Sequence, residues 1–131
     1  MISFVIPALN EESVIEKTLQ WIVSYSGDKE IILSDGNSRD KTLEIVRKFT
    51  DKIVVYDKPR RQTIGMARNM GAAMAQGDFV VFVDADVIIL HPDTFFTSAL
   101  SLFETKKDII ALTCSMRVLP EMETRMDKIV F

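Results

Sequence analysis

The chain has 131 residues, the size of one ordinary domain, with 47% hydrophobic and 27% charged residues; that balance excludes a disordered or collagen-like chain and allows a substantial core. A net charge of −3 with scattered basic residues argues against a nucleic-acid binder, and no uninterrupted apolar stretch approaches the roughly 18 residues of a membrane-spanning helix. The single cysteine, Cys114, excludes an internal disulfide and suits a reducing, cytoplasmic compartment.

Ile2 to Ile6 read as a first strand stopped by Pro7, and not as a signal peptide, because no basic segment or cleavage site accompanies them. Glu11 to Tyr25 have the helical period, with Val14, Ile15, Leu19 and Ile22 on one face; Asn10 is the expected N-cap and Gly27-Asp28 the stop. Ile31-Ile32-Leu33 form a second strand that opens into a polar loop, Ser34 to Ser38. A second helix is expected over about Asp40 to Phe49, with Leu43, Val46 and Phe49 on one side, and a third strand over Ile53 to Tyr56. After the polar loop Lys58 to Thr63 comes a third helix, about Ile64 to Ala75, in which Ala67, Met70, Gly71 and Met74 share a face; Gly77 ends it. Phe79 to Val83 is apolar on both faces, the pattern of a central strand in a covered parallel sheet. Pro92 to about Lys106 is a fourth helix, Ile109 to Val118 a last strand with Cys114 in the core, and Met122 to Phe131 the start of an amphipathic helix.

Strictly alternating strands and helices predict a three-layer α/β/α fold with a mostly parallel sheet, and the absence of linker or repeat predicts one domain over 1–131. Ligands on such sheets sit beyond the carboxyl ends of the strands. The segments expected there are Pro7–Glu12, Ser34–Ser38 and Asp84–Asp86, all polar or acidic.

Asp84 and Asp86 leave a buried strand side by side, which is costly unless the carboxylates are paired or hold a cation. Hard divalent cations such as Mn²⁺ or Mg²⁺ suit oxygen ligands shared with a diphosphate; the alternative is a capping Asp84 and a solvated Asp86. Asp35 can accept a hydrogen bond from a base N–H or close an Asx-turn on Gly36-Asn37. The turn Pro7 to Glu12 can line a base or ribose, with Glu11 reaching a hydroxyl, or simply cap a helix. Arg68 can offset phosphate charge or be a surface cation, and the same choice holds for Lys58, Arg60 and Arg61. His91, the only histidine, reads as loop structure, which leaves no histidine-centred metal site or triad. No G-x-G-x-x-G follows the first strand, and neither a P-loop nor a G-x-S-x-G occurs.

V-I-P-A-L-N-E-E (Val5 to Glu12), S-D-G-N-S-R-D-K-T (Ser34 to Thr42) and the segment Gly65 to Asp86, with A-R-N-M-G early and F-V-D-A-D at its end, occur in that order. Together they resemble the nucleotide-sugar-binding half of family 2 glycosyltransferases with the GT-A fold. The resemblance implies a donor, a UDP- or GDP-sugar, bound through a divalent cation, and transfer of its sugar to an acceptor. It assigns Pro7, Ala8, Leu9 and Glu11 to the turn around the nucleoside, Asp35 to the base and Arg68 to the basic position of the A-R-N-x-G motif. Asp84 and Ala85 fall near the ribose and Asp86 at the metal. The cation would neutralise the departing nucleoside diphosphate.

Two departures stand out. Ser34 replaces the first member of an acidic pair, and the stretch after Asp86 is shorter than the acceptor half of that family, so the acceptor-side part is expected to be lacking. Glu121 and Glu123 are not assigned as a catalytic base. A lipid acceptor would bring the domain to the inner face of the membrane, and a homodimer is a further option. The rival classes are a non-catalytic or truncated nucleotide-sugar binding module, a nucleotidyltransferase and a receiver-like domain. The second would need a Gly/Arg-rich loop where Pro7 to Glu12 stand, and the third acidic residues where Pro7 stands.

Overall fold

The computed structural model describes residues 1–115. Strands β1 (Ile2–Ala8), β2 (Lys29–Asp35), β3 (Ile53–Val55) and β4 (Phe79–Phe82) alternate with helices α1 (Ile15–Ser24), α2 (Thr42–Val46), α3 (Ile64–Ala72) and α4 (Pro92–Thr105). The described strands form one sheet in the order β3-β2-β1-β4, and every pairing is parallel. The expected α/β architecture is the observed one.

β1 is the centre. All seven of its residues are buried; it pairs with β2 from Ile2↔Lys29 to Ala8↔Asp35 and with β4 from Ile2↔Phe79 to Val5↔Phe82. Side chains alternate across a strand, so Phe4 and Val5 face opposite layers. Phe4 meets Trp21 and Tyr25 at the end of α1 and Phe96 of α4, with ring centroids 5.8, 6.1 and 5.3 Å away in edge-on geometry. Val5 faces α3, which approaches so closely that a Cβ on Gly71 would lie 2.3 Å from Val5 Cγ1.

Several boundaries differ from expectation. Pro7 does not stop β1. Val5 O accepts from Val83 N on the β4 side, so by alternation the nitrogen of Pro7 also faces that side, where the ladder with β4 has already ended at Phe82; the missing N–H leaves nothing unpaired. Asn10 is not an N-cap: its φ is 59°, outside the extended region a cap occupies. The chain instead makes a turn in which Glu11 O accepts from Val14 N and Ile15 N, and α1 begins at Ile15. Ser34 and Asp35 belong to β2 and not to a loop. α2 and α3 are shorter than the periodicity suggests because i→i−3 bonds close both, Phe49 N to Val46 O and Met74 N to Gly71 O. β4, expected at the centre, pairs only with β1 among the described strands, and Val80 and Phe82 are exposed on it.

Contacts divide the chain into two units, 1–97 and 98–131. In the described part of the second, α4 ends with Lys106 N on Leu102 O. Residues 109–115 find no ladder partner there and form no strand, and Cys114 is exposed instead of buried in a core. The expected helix Met122 to Phe131, together with Glu121 and Glu123, lies outside the described residues.

At the amino-terminal edge of the sheet Glu30 ties four segments. Ser3 Oγ and Gln76 N donate to its Oε1, Lys52 Nζ donates to its Oε2, and Gly77 N donates to Ser3 Oγ. Burial alone would lift the Glu30 pKa, but the hydrogen bonds from Lys52, Ser3 and Gln76 and the charge of Lys52 outweigh it and hold the carboxyl at about 2.

Two stability predictions follow from this packing. Gly71→Ala should cost about 1–3 kcal/mol in urea denaturation because Val5 must move, whereas Gly65→Ala, with nothing within 4 Å of the added methyl, should be neutral or gain up to about 1 kcal/mol of helix propensity; equal effects at the two positions would contradict the close approach of α3. The folded pKa of Glu30 is depressed, so its contribution is full above its ordinary 4.5 and disappears as pH falls toward about 2. Glu30→Gln should therefore lower stability by about 1–3 kcal/mol at neutral pH, with the gap from the parent protein closing across that acid window.

Candidate functional site

Leaving β1, the chain crosses to β2 on one side, while β4 lies on the other. Successive connections that depart in opposite directions open a crevice at the strands' carboxyl ends. The segments after β1, β2 and β4 meet there.

The first two are laced by reciprocal side-chain-to-backbone bonds. Asn10 N donates to Ser38 Oγ (2.9 Å) and Arg39 N to Asn10 Oδ1 (2.8 Å). Glu11 N donates to Thr42 Oγ1 (2.8 Å), Glu12 N to Asp40 Oδ2 (3.1 Å) and Lys41 N to Glu12 Oε2 (2.9 Å). Burial pushes the Asp40 carboxyl up, but the bonds it accepts from Thr42 and Glu12 outweigh that, and its pKa is lowered. This lacing fixes the left-handed turns at Asn10 and Asn37.

Asp35 is fully buried. Its Oδ2 accepts from Asn37 N (2.9 Å) and Ser38 N (2.8 Å), and its Oδ1 from Ser38 Oγ (2.5 Å). The side chain thus closes the Asx-turn that was one of its two sequence readings. Ser34, on the other face of β2, is buried beneath Gly71, and its Oγ has no hydrogen-bond partner among the described residues. Pro7 and Ala8 are buried, and Ala8 O accepts from Gly36 N (2.8 Å); Leu9, 40% exposed, is the apolar side chain that this turn presents.

The third segment is held from beneath by α1. Thr18 Oγ1 donates to Ala85 O (2.7 Å) and Val87 O (3.0 Å), and Trp21 Nε1 donates to Val87 O (2.8 Å). Ala85 is buried, so the two flanking aspartates point elsewhere. Asp84 accepts from Arg68 Nη2 at 3.0 Å, and the guanidinium lies over the Phe82 ring at 6.0 Å from its centroid. Both partners are about two-fifths exposed, which limits such a pair to roughly 1 kcal/mol. Its geometry matters more: the bond to Asp84 and the contact with Phe82 set Arg68 against the outlet of β4, and its buried Nε has no partner among the described residues.

Asp86 is exposed and has no hydrogen-bond or ion-pair partner among the described residues. Glu11 stands across from it. Burial raises the Glu11 pKa, and the charges of Asp86 and Asp40 raise it further. The crevice therefore gathers Glu11, Asp84, Asp86 and Arg68, with excess negative charge. Lys58, Arg60 and Arg61 are exposed, and Arg60 Nε donates to Tyr56 Oη at 3.3 Å. His91 serves as structure, its carbonyl accepting from Phe95 N in the first turn of α4.

No group of three or more His, Cys, Asp or Glu side chains among the described residues forms a closed metal cage. One free carboxylate at an open crevice fits a hard cation that takes its other ligands from phosphate oxygens and water. Sequence reasoning missed Thr18 and Trp21, whose signal was a hydroxyl and an indole N–H on the apolar face of a helix, groups that need a partner when buried. It also missed the lacing by Asp40 and Thr42.

Residues 3–128 match glycosyl transferase family 2. An uncharacterized glycosyltransferase of Haemophilus influenzae is 33% identical over 95 residues, which are 70% of this chain and 38% of that protein. Glucosyl-3-phosphoglycerate synthase from Mycobacterium tuberculosis, in its complex with Mn²⁺, UDP and glucosyl-3-phosphoglycerate, is similar with a TM-score of 0.64 and 32% identity over 79% of this chain and 39% of that one. A mannosyltransferase from Pyrobaculum calidifontis in complex with GDP-Man and Mn²⁺ gives 0.66 and 25% over 77% and 32%. The chain spans less than two-fifths of the length of each of these relatives. The sheet order, the crevice and these likenesses agree: the chain has the GT-A fold and belongs to glycosyl transferase family 2.

Proposed function

We propose that the chain binds a nucleotide-diphospho-sugar, a UDP- or GDP-sugar, in the crevice at the carboxyl ends of β1 and β4, through Mn²⁺ or Mg²⁺ held by Asp86, and that the protein it represents transfers the sugar to an acceptor. The observation that carries this reading is the unbalanced charge between Glu11 and Asp86: among the described residues Asp35, Asp40 and Asp84 all have donors, and the side chains of these two do not. The ligands of the two solved relatives, UDP or GDP-Man with Mn²⁺, support the same donor class.

The chain's own residues divide the work. Leu9 offers an apolar wall to the nucleoside at the turn that follows β1. Asp84, oriented by Arg68, faces the ribose side, while Thr18 and Trp21 hold the backbone of Ala85 and Val87 so that the aspartates keep their directions. Arg68 is near enough to the outlet of β4 to offset diphosphate charge if its bond to Asp84 loosens. A divalent cation supplies Lewis-acid stabilisation of a nucleoside diphosphate leaving group. Asp86 anchors that charge on the protein, and Glu11, relieved of its unfavourable neighbour, ionises more readily. No helix among the described residues is long and apolar enough to cross a membrane. An exposed free Cys114 suits a reducing, cytoplasmic setting, and the acidic crevice offers nothing to a nucleic-acid backbone.

The test is calorimetric titration of UDP- and GDP-sugars into the chain with and without Mn²⁺. Asp86→Ala should remove the Mn²⁺-dependent part of binding, a loss of tenfold or more, without lowering the melting temperature, because its side chain bonds nothing among the described residues and its charge works against Glu11. Full retention of Mn²⁺-dependent affinity in that variant would take the metal role away from Asp86.

A further inference from the structure

Because the Asp86 side chain has no partner among the described residues, the direction of its carboxylate rests on the backbone that carries it. The chain turns at this point: Val87 N donates to Asp84 O at 3.1 Å, with Ala85 and Asp86 in the middle of the turn. That bond ties down the peptide plane that follows Asp86. The plane that precedes it carries Ala85 O, whose one donor among the described residues is Thr18 Oγ1, at 2.7 Å. The same hydroxyl reaches Val87 O at 3.0 Å, where Trp21 Nε1 is a second donor at 2.8 Å. The two groups on α1 are therefore not equivalent. Without the indole N–H, Val87 O still has a partner. Without the hydroxyl, Ala85 O has none, and the plane that sets φ of Asp86 is released.

We propose that Thr18 is the positioning residue of the candidate cation site: by holding Ala85 O, its hydroxyl sets the direction in which Asp86 presents its carboxylate, and Trp21 is secondary to it. The inference rests on the donor-binding reading above and adds to it a residue that touches neither cation nor nucleotide. Thr18 has the stiffness the task needs. It is buried on α1 beside Leu19 and Ile22, which are fully buried, and a β-branched side chain in a helix has few rotamers open to it. A threonine in a helix commonly bonds a carbonyl of its own preceding turn; this hydroxyl instead points across to the 84–87 turn. Ala85, buried between the two aspartates, seats the turn from the same side.

Calorimetric titration of UDP and GDP, with and without Mn²⁺, tests it on the parent chain, on Thr18→Val, Thr18→Ser and Trp21→Phe, and on Thr18→Val combined with Asp86→Ala. Thr18→Val keeps the shape and removes the donor. It should weaken Mn²⁺-dependent binding about tenfold, the usual effect of losing a group that orients a metal ligand, and leave Mn²⁺-free binding within about twofold. Thr18→Ser, which keeps the hydroxyl, should restore Mn²⁺-dependent binding, and Trp21→Phe should lose no more than about threefold. In the Asp86→Ala background Thr18→Val should cost nothing further, because effects that pass through one residue do not add. Thr18→Ala carries the same comparisons if the valine variant does not fold. Full Mn²⁺ dependence in Thr18→Val overturns the proposal. So does an equal loss with and without Mn²⁺, or one that persists in Asp86→Ala, since either reduces Thr18 to packing. A loss in Trp21→Phe as large as in Thr18→Val overturns the ranking of the two donors. A parent chain with no Mn²⁺-dependent binding refutes the donor-binding reading itself, a different result from a Thr18 variant that behaves as the parent does.

Discussion

A carboxylate drawn partly out of water must be met by hydrogen-bond donors or by positive charge, and the layout of this sheet is the record of how each one is met. Glu30 takes Lys52, Ser3 and the Gln76 N–H at the amino-terminal edge. Asp35 takes its own loop, Asp40 the first turn of α2, and Asp84 the guanidinium of Arg68. These partners all come from within the fold. Among the described residues Glu11 and Asp86 are left at the crevice without a donor, and burial together with the charge of Asp86 raises the pKa of Glu11. The site is therefore defined less by what it contains than by which charges the fold leaves uncompensated.

The core and the crevice are mechanically one object. Trp21 stacks on Phe96 at 6.4 Å, packs edge-on against Phe4 and, with its indole N–H, holds Val87 O. The same residue buries apolar area and positions the loop that carries Asp84 and Asp86. Thr18, three residues earlier and so on the same helix face, doubles that attachment. On the opposite layer, Gly71 lets α3 settle against Val5, and that approach brings Arg68 of α3 to Asp84. A loosened core on either face would be felt at the aspartates before it was felt globally.

What was legible in the sequence is what depends on period and order. The alternation of apolar runs with helical faces gave the parallel sheet, and the acidic exit of the fourth strand marked the crevice. What was not legible depends on partners remote in sequence. Whether Pro7 ends a strand is decided by where the neighbouring strand stops. Whether Asn10 caps a helix is decided by Ser38 and Arg39, which hold it in a left-handed turn. Phe79 to Phe82 looked central because apolarity reports what a strand must bury and not its place in the sheet; the centre is β1. Asp35 was readable as a turn former, but which donors it meets depends on where the Asn37 and Ser38 N–H groups lie. The run 109–115 has strand composition, but composition without a ladder partner makes no strand.

The placing of the acidic side chains around the crevice follows from the same electrostatics. A nucleotide-sugar brings two phosphates, and its binding is favourable only if a cation or Arg68 offsets them; every extra carboxylate near the path of the diphosphate makes that harder. Carboxylates are tolerable at Asp86, which is exposed to water, and at Asp35, where backbone N–H groups meet the charge.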